Sequence, residues 1–256
     1  LVVFYVVSAI LAIGLSPLLL GPRKPLMAVM NFWGKLVTLM LRVICGVKVE
    51  VRGREHLPPG AALIATKHQR MFDIFGAFAF LPDACFVLKK ELVAIPFFGW
   101  WALRSHMIVV DREGHSAALR KLVADSQDRM KEDRQLVIFP EGTRKDPGEA
   151  GDYKPGIAAL YRELNLPVTP LALNTGLHWN VASGFIMRPG TIVFEFQPPI
   201  PTGLDRPTFM ARLEAACETR SNELIAQATG RPVREAVLVE SEEEVRRAAA
   251  RNPKSQ

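Results

Sequence analysis

The chain is poor in cysteine. Cys45, Cys85 and Cys217 are the only three in 256 residues, they are scattered, and no C-x-x-C spacing occurs. A disulfide framework and a cysteine metal site are therefore excluded, and a reducing compartment fits best. The G-x-S-x-G turn is also missing, which argues against a serine hydrolase built on a nucleophile elbow. There is no acidic excess: 32 Lys and Arg stand against 26 Asp and Glu, for a net charge of +6 and a pI of about 9.4. A basic balance suits an anionic membrane surface or a phosphorylated ligand. Nucleic acid is a poor candidate, since zinc-finger spacing, RNA-binding aromatics and basic runs interleaved with aromatics are all lacking. No internal repeat or low-complexity linker divides the chain, and its length suits one large domain.

What the chain has in abundance is apolar residues, 49% of the total, with a mean hydropathy of +0.12. That value is high for a soluble enzyme and low for a polytopic membrane protein. The surplus lies at the amino terminus. Residues 1–21 carry no charge, and the first, Arg23-Lys24, sits between Pro22 and Pro25. About 20 apolar residues suffice to cross a bilayer core. A cleaved signal peptide would carry its positive charge before the apolar run rather than after it. The reading is a retained anchor, with a re-entrant hairpin as the alternative. Positive flanks face the cytoplasm, so the expected location is the cell inner membrane with the catalytic domain on the cytoplasmic side. Residues 26–46 differ in kind. Lys24, Asn31, Lys35 and Arg42 fall on one helical stripe among Leu, Met, Val, Phe and Trp, as expected of a helix lying in the membrane interface. A core helix with one wet face is the plainer alternative.

From residue 47 the pattern turns globular. Apolar, β-rich runs occur at Ala61–Thr66, Cys85–Leu88, Met107–Val110, Gln135–Phe139, Val168–Leu173 and Thr191–Phe196. A helix is predicted between Val110 and Gln135, capped by Ser116, with Leu119, Leu122, Val123 and Met130 as its apolar face. A second is predicted over Ile157–Leu164. A third runs from Arg206 to about Ala228 and is ended by Gly230-Arg231-Pro232. Strands alternating with helices predict an α/β fold with a mixed, largely parallel sheet flanked by helices, preceded by a membrane-associated helical pair. The expected organisation is a membrane anchor and interfacial helix over 1–46, a catalytic domain over 47–233, and a charged, partly disordered tail over 234–256.

Two constellations carry chemistry. His68 follows the run Ala61–Thr66, and Asp73 lies five residues on. With His68 in a turn and Asp73 in the first turn of a helix, the carboxylate reaches one ring nitrogen. The other nitrogen is then free to take a proton, as the activation of an alcohol requires. The second constellation, Phe139-Pro140-Glu141-Gly142-Thr143-Arg144, sits at the end of a strand. Gly142 allows close backbone approach to a ligand. Arg144 offers a bidentate fork for phosphate. Lys154, before the helical run, is a further cation near a helix start. Taken singly, each pattern also fits a solvated surface turn. His56, His106, His115 and His178 show no metal-ligand spacing and read as structural.

Together, H-x-x-x-x-D followed by F-P-E-G-T-R resembles the glycerolipid acyltransferases, in particular the 1-acylglycerol-3-phosphate acyltransferases. Gly99 to Arg112 looks like that family's glycine-to-arginine block, and Leu166-Pro167-Val168-Thr169-Pro170-Leu171 like its proline-containing strand. The resemblance covers roughly residues 47–200. It implies His68 as general base and Asp73 as its orienting partner. It implies Glu141, Gly142, Thr143 and Arg144 as acceptor-binding residues, with Arg112 and Lys154 assisting on phosphate. It also implies acyl-CoA or acyl-carrier protein as co-substrate, a lysophospholipid acceptor and membrane lipid as partners, and no metal or prosthetic group. The implied reaction acylates the sn-2 hydroxyl of 1-acylglycerol-3-phosphate. An acyltransferase for another lysolipid, such as lyso-ornithine lipid, and a non-catalytic lipid-binding protein are the alternatives. The chain departs from the pattern at two positions: Lys67 stands where the family often has Asn, and Arg70 where it often has Ser. Lys67 is expected to place an extra positive charge beside His68, and Arg70 offers a further contact for an anionic acceptor.

Overall fold

A computed structural model describes residues 2–179 and 187–233; the expected tail over 234–256 lies outside the described residues. Seven strands form the sheet: β1 (Val47–Arg52), β2 (Ala62–Thr66), β3 (Ala84–Lys89), β4 (Ile108–Val110), β5 (Gln135–Ile138), β6 (Val168–Leu173) and β7 (Gly190–Phe196). Their spatial order is β1-β7-β6-β2-β5-β3-β4. Every neighbouring pair is parallel except β6–β7, which is antiparallel. The fold is thus α/β with a mixed, mostly parallel sheet. The six apolar runs became strands β2 to β7. The edge strand β1, VKVEVR, was not foreseen, because its parallel partner β7 lies more than a hundred residues away.

Alternate residues of the central strands point to opposite faces, as a strand's period of two requires. Ile64 and Val137 pack with Phe72, Phe86 and Phe194 on one face. Leu63, Ala65, Leu136 and Ile138 pack with Ile157, Leu160 and Phe209 on the other. The first face is covered by α2 (Arg23–Cys45) and α3 (Phe72–Phe80), the second by α5 (His115–Lys131), α6 (Pro155–Leu164) and α8 (Arg206–Thr229). α8 is bounded as its sequence suggests: the Asp205 carboxylate accepts from Thr208 N at 2.9 Å, and Gly230 ends it in the left-handed region at φ 67°. α5 begins without Ser116 as its cap. Ser116 lies one residue inside the helix, and no side chain caps the end.

The amino-terminal segment departs from expectation. Residues 1–21 do not form one span. α1 (Val2–Gly14) has 13 residues and is followed by a 3-10 turn over Ser16–Leu20. At 1.5 Å per residue α1 is about 20 Å long, short of a bilayer core of about 30 Å. Pro17 explains the break, since it has no N–H to bond back to Ile13 and its ring crowds that carbonyl. Among the described residues α2, with 23 residues, is the one helix long and apolar enough to cross a membrane. It nevertheless packs one side closely on α3. A side chain at Gly34 would come within 2.8 Å of the Ala79 backbone nitrogen, so only glycine permits this approach. Lys24, Lys35 and Arg42 are exposed on the opposite side, beside exposed Phe32, Leu39 and Val43. α4 (Phe98–Arg104) docks against α1 and its turn. Trp101 Nε1 donates to Ala12 O at 3.2 Å, and Arg104 Nε donates to Leu19 O at 2.6 Å. Val2, Ile10, Leu20, Trp100 and Leu103 stay exposed, giving an apolar surface of the kind that meets lipid.

Candidate active site

In parallel sheets the carboxyl ends of the strands share one edge, where ligands bind. Here the three central strands, β6, β2 and β5, lie side by side and deliver the candidate residues to that edge. His68 follows β2, Glu141 follows β5, and Thr175 follows β6 at the start of the short helix α7 (Thr175–His178). This placement answers how residues up to about a hundred positions apart come to share one site.

The chain turns sharply after β2, and Asp73 is the second residue of α3. Its buried carboxylate organises the turn. Asp73 Oδ2 lies 2.8 Å from His68 Nδ1 and accepts from the backbone nitrogens of Gln69 at 2.6 Å and Arg70 at 2.8 Å. The Thr175 hydroxyl donates to Oδ1. An ionised carboxylate only accepts, so the proton of this pair sits on Nδ1, and Nε2 is left as the acceptor. Among the described residues nothing bonds to Nε2. The imidazole stacks on Phe139, with centroids 4.1 Å apart and an angle of 25°, which fixes its plane. The His68 side chain is 12% exposed, against none for Asp73. The result is an oriented imidazole at the edge of the sheet, with Nε2 unpartnered among the described residues.

The loop after β5 is tied to this turn. Lys145 N donates to His68 O at 2.8 Å, and Gly142 N donates to Phe139 O at 3.0 Å. Gly142 has φ 67°, a conformation that costs other residues steric strain. Arg112 and Lys154 flank it: a Cβ at Gly142 would sit 3.5 Å from Arg112 Nη2 and 3.7 Å from Lys154 Cγ. Lys154 precedes the first turn of α6, and Pro155 opens that helix. Arg144 and Thr143 are exposed on the same loop. Among the described residues, no carboxylate pairs with the side chains of Arg112, Arg144 or Lys154. Burial lowers the Arg112 pKa, and the charge of Glu91 acts against it. Arg112 and Lys154 beside the glycine turn, with Arg144 exposed on the same loop, have no ion-pair partner among the described residues, an arrangement suited to an anion.

Glu141 does not join that group. Its carboxylate is fully buried, accepts from Lys67 Nζ at 3.0 Å, and reaches the His68 backbone nitrogen at 3.4 Å. Burial raises its pKa against the pull of Lys67. The expected contact of the Glu141 side chain with the acceptor is therefore corrected: the buried ammonium of Lys67 needs this carboxylate as a counter-ion. The two departures from the family pattern are corrected too. Lys67 brings no unopposed charge to His68, because its ammonium meets both Glu141 and Glu218. Arg70 is not free for an acceptor. Its guanidinium donates to Trp179 O at 2.7 Å, Gln69 O at 2.8 Å and Asp146 Oδ1 at 2.8 Å. Sequence reasoning missed Thr175 and Glu218 as members of the site. A buried lysine implies a carboxylate partner somewhere, but the sequence does not say which one. His178 is buried, and its Nδ1 lies 3.3 Å from Arg188 O.

The Acyltransferase family profile matches residues 48–174. The 1-acyl-sn-glycerol-3-phosphate acyltransferase of Pseudomonas aeruginosa is 32% identical over 232 residues, which cover 88% of this chain and 90% of that protein. The enzyme of the same name from Limnanthes alba is 30% identical over 67% of the chain and 61% of its own length. The human alpha form is 26% identical over 66% of the chain and 60% of its own length. Among solved structures, the 1-acyl-sn-glycerophosphate acyltransferase of Thermotoga maritima superposes with a TM-score of 0.71. It is 22% identical and covers 87% of this chain and 93% of that one, a match of fold.

Proposed function

This chain belongs to the acyltransferase family, and from that premise we propose that it transfers a fatty acyl group to the free sn-2 hydroxyl of 1-acylglycerol-3-phosphate, giving phosphatidic acid. The donor is a thioester, of acyl-CoA or acyl-carrier protein. The names of the relatives support this reading. The observation that carries it is the pairing, at one sheet edge, of a carboxylate-oriented imidazole with cations that lack a counter-charge.

The chemistry follows from the geometry. His68 Nε2 takes the proton of the acceptor hydroxyl as its oxygen attacks the thioester carbonyl carbon. Asp73 holds the ring and stabilises the imidazolium that forms. The tetrahedral intermediate collapses with cleavage of the C–S bond, and the imidazolium returns the proton to the departing thiolate. Arg112, Arg144 and Lys154 hold the acceptor phosphate, with the Gly142 turn admitting it closely. Because the thioester is already activated, the reaction requires no metal or prosthetic group. The apolar surface of α1 and α4 and the basic stripe of α2 seat the enzyme on the membrane that holds its acceptor. The exposed Lys24, Lys35 and Arg42 of that stripe favour the anionic cytoplasmic face of the inner membrane.

The test is an assay of purified protein in detergent, with a panel of lysolipid acceptors offered with each donor. Lysophosphatidate should be acylated fastest. Faster acylation of a zwitterionic acceptor such as lyso-ornithine lipid would overturn the choice of headgroup. No acylation of any acceptor would overturn catalysis itself.

A further inference from the structure

Beneath the His68 turn lies a polar cluster that the mechanism does not use. Lys67 is fully buried, yet all three of its ammonium hydrogens find acceptors. Nζ donates to Glu141 Oε1 at 3.0 Å, to the Glu149 carbonyl at 2.6 Å, and to the Glu218 carboxylate at 2.7 and 2.8 Å. Glu218 comes from α8, far along the chain from both of the other acceptors. It also accepts from the Tyr153 hydroxyl at 3.4 Å. The cluster joins the end of β2, the loop after β5, the 149–153 segment and the last described helix.

We propose that Lys67 and Glu218 form a positioning pair, in which Glu218 fixes the Lys67 ammonium and, through Glu141, the backbone amide of His68. The proposal rests on the reading of His68 as the base. The physical argument is one of connectivity. Lys67 immediately precedes His68, so any shift of its side chain is felt in the His68 backbone. Glu141 grips both, with one oxygen on Lys67 Nζ and the other near His68 N. Glu141 alone would leave part of the buried ammonium without an acceptor, and an isolated buried charge is costly enough to drag its loop toward water. Glu218 removes that freedom from the far side. The pair touches no substrate. Its effect falls on the placement of His68, where a displacement of about 1 Å can cost roughly 100-fold in rate.

The test uses the full-length enzyme in the lysophosphatidate assay, with kcat, both KM values and thermal midpoint read for each variant. Glu218→Ala should lower kcat by roughly 10- to 100-fold while leaving the acceptor KM within about twofold. Glu218→Gln keeps an acceptor atom and should lose less. The triple variant Lys67→Met/Glu141→Gln/Glu218→Leu removes every charge of the cluster but keeps the volume, so its thermal midpoint should return towards the parent value. Its kcat should stay low, because no ammonium then anchors the backbone around His68. If kcat recovers together with the midpoint, the pair is only packing and the proposal falls. It falls equally if Glu218→Ala and Glu218→Gln both turn over normally. His68→Ala, run alongside, separates the two readings: full turnover there overturns the base itself, whereas a dead His68→Ala beside a normal Glu218→Ala overturns only the pair.

Discussion

The two halves of the site are built on opposite electrostatic plans. The Asp73 carboxylate is fully matched: two backbone amides, a hydroxyl and an imidazole all point at it. Around Gly142 the charges are not paired off: Arg112 and Lys154 flank the turn, Arg144 is exposed on the same loop, and none of the three has an ion-pair partner among the described residues. A matched cluster has nothing to gain from a ligand, so its worth lies in being rigid before substrate arrives. An unmatched cluster is completed by the ligand, so its worth lies in binding. The first should therefore govern turnover and the second the acceptor KM.

The largest effects should come from the matched half. His68→Ala should cut kcat by roughly 10²–10⁴, the usual worth of a general base. Asp73→Asn should be of similar severity. An amide presents a donor where Nδ1–H needs an acceptor, and the ring would turn to the wrong tautomer. Both should leave the acceptor KM within a few-fold of the parent. An Asp73→Asn enzyme whose loss lay wholly in KM would break the division between the two halves.

The unmatched half should respond in the other parameter. Arg144→Lys keeps the charge but removes the planar fork, and Arg112→Ala removes a cation beside Gly142. A charge-assisted hydrogen bond contributes on the order of 1.5–3 kcal/mol, so losing one should weaken acceptor use by about 10- to 150-fold. The effect should appear in the KM for lysophosphatidate and scarcely in that for the acyl donor. A rise in the donor KM alone would show that these cations serve the phosphates of the carrier, and the two substrate sites would then be exchanged.

Much of the fold was legible because its signals are local. The six apolar runs showed where the sheet would be, and Gly230 marked the end of α8. The placement of His68 beside Asp73 was legible for the same reason, since five residues and one turn decide it. What escaped was set by distance or by competition. β1 alternates as a strand should, but its partner is far along the chain. The 1–21 run has the composition of a span, yet Pro17 divides it. Glu141 reads as a ligand contact in its hexapeptide, and only the burial of Lys67 shows why it faces inward. Glu218 lies in a helix whose sequence carries no sign that it closes a site.

Thr175 offers the finest test of the matched half, because it can be altered without changing shape. Valine is close to isosteric with threonine and removes only the hydroxyl. In Thr175→Val, Asp73 keeps His68 and the two backbone amides, so the turn should stay closed. What is lost is the donor on Oδ1, together with the restraint on rotation of the carboxylate about its own bond. One buried hydrogen bond contributes on the order of 1 kcal/mol net, so kcat should fall by roughly 3- to 10-fold. The acceptor KM should hold, because the hydroxyl sits among Asp73 and Gln69 and away from the cations. Adding Thr175→Val to Asp73→Asn should then cost almost nothing more, since a hydroxyl that acts only by steadying the carboxylate has nothing left to steady. Full additivity in that double variant would mean that Thr175 acts on turnover by another route, and that the matched half extends beyond the carboxylate at its centre.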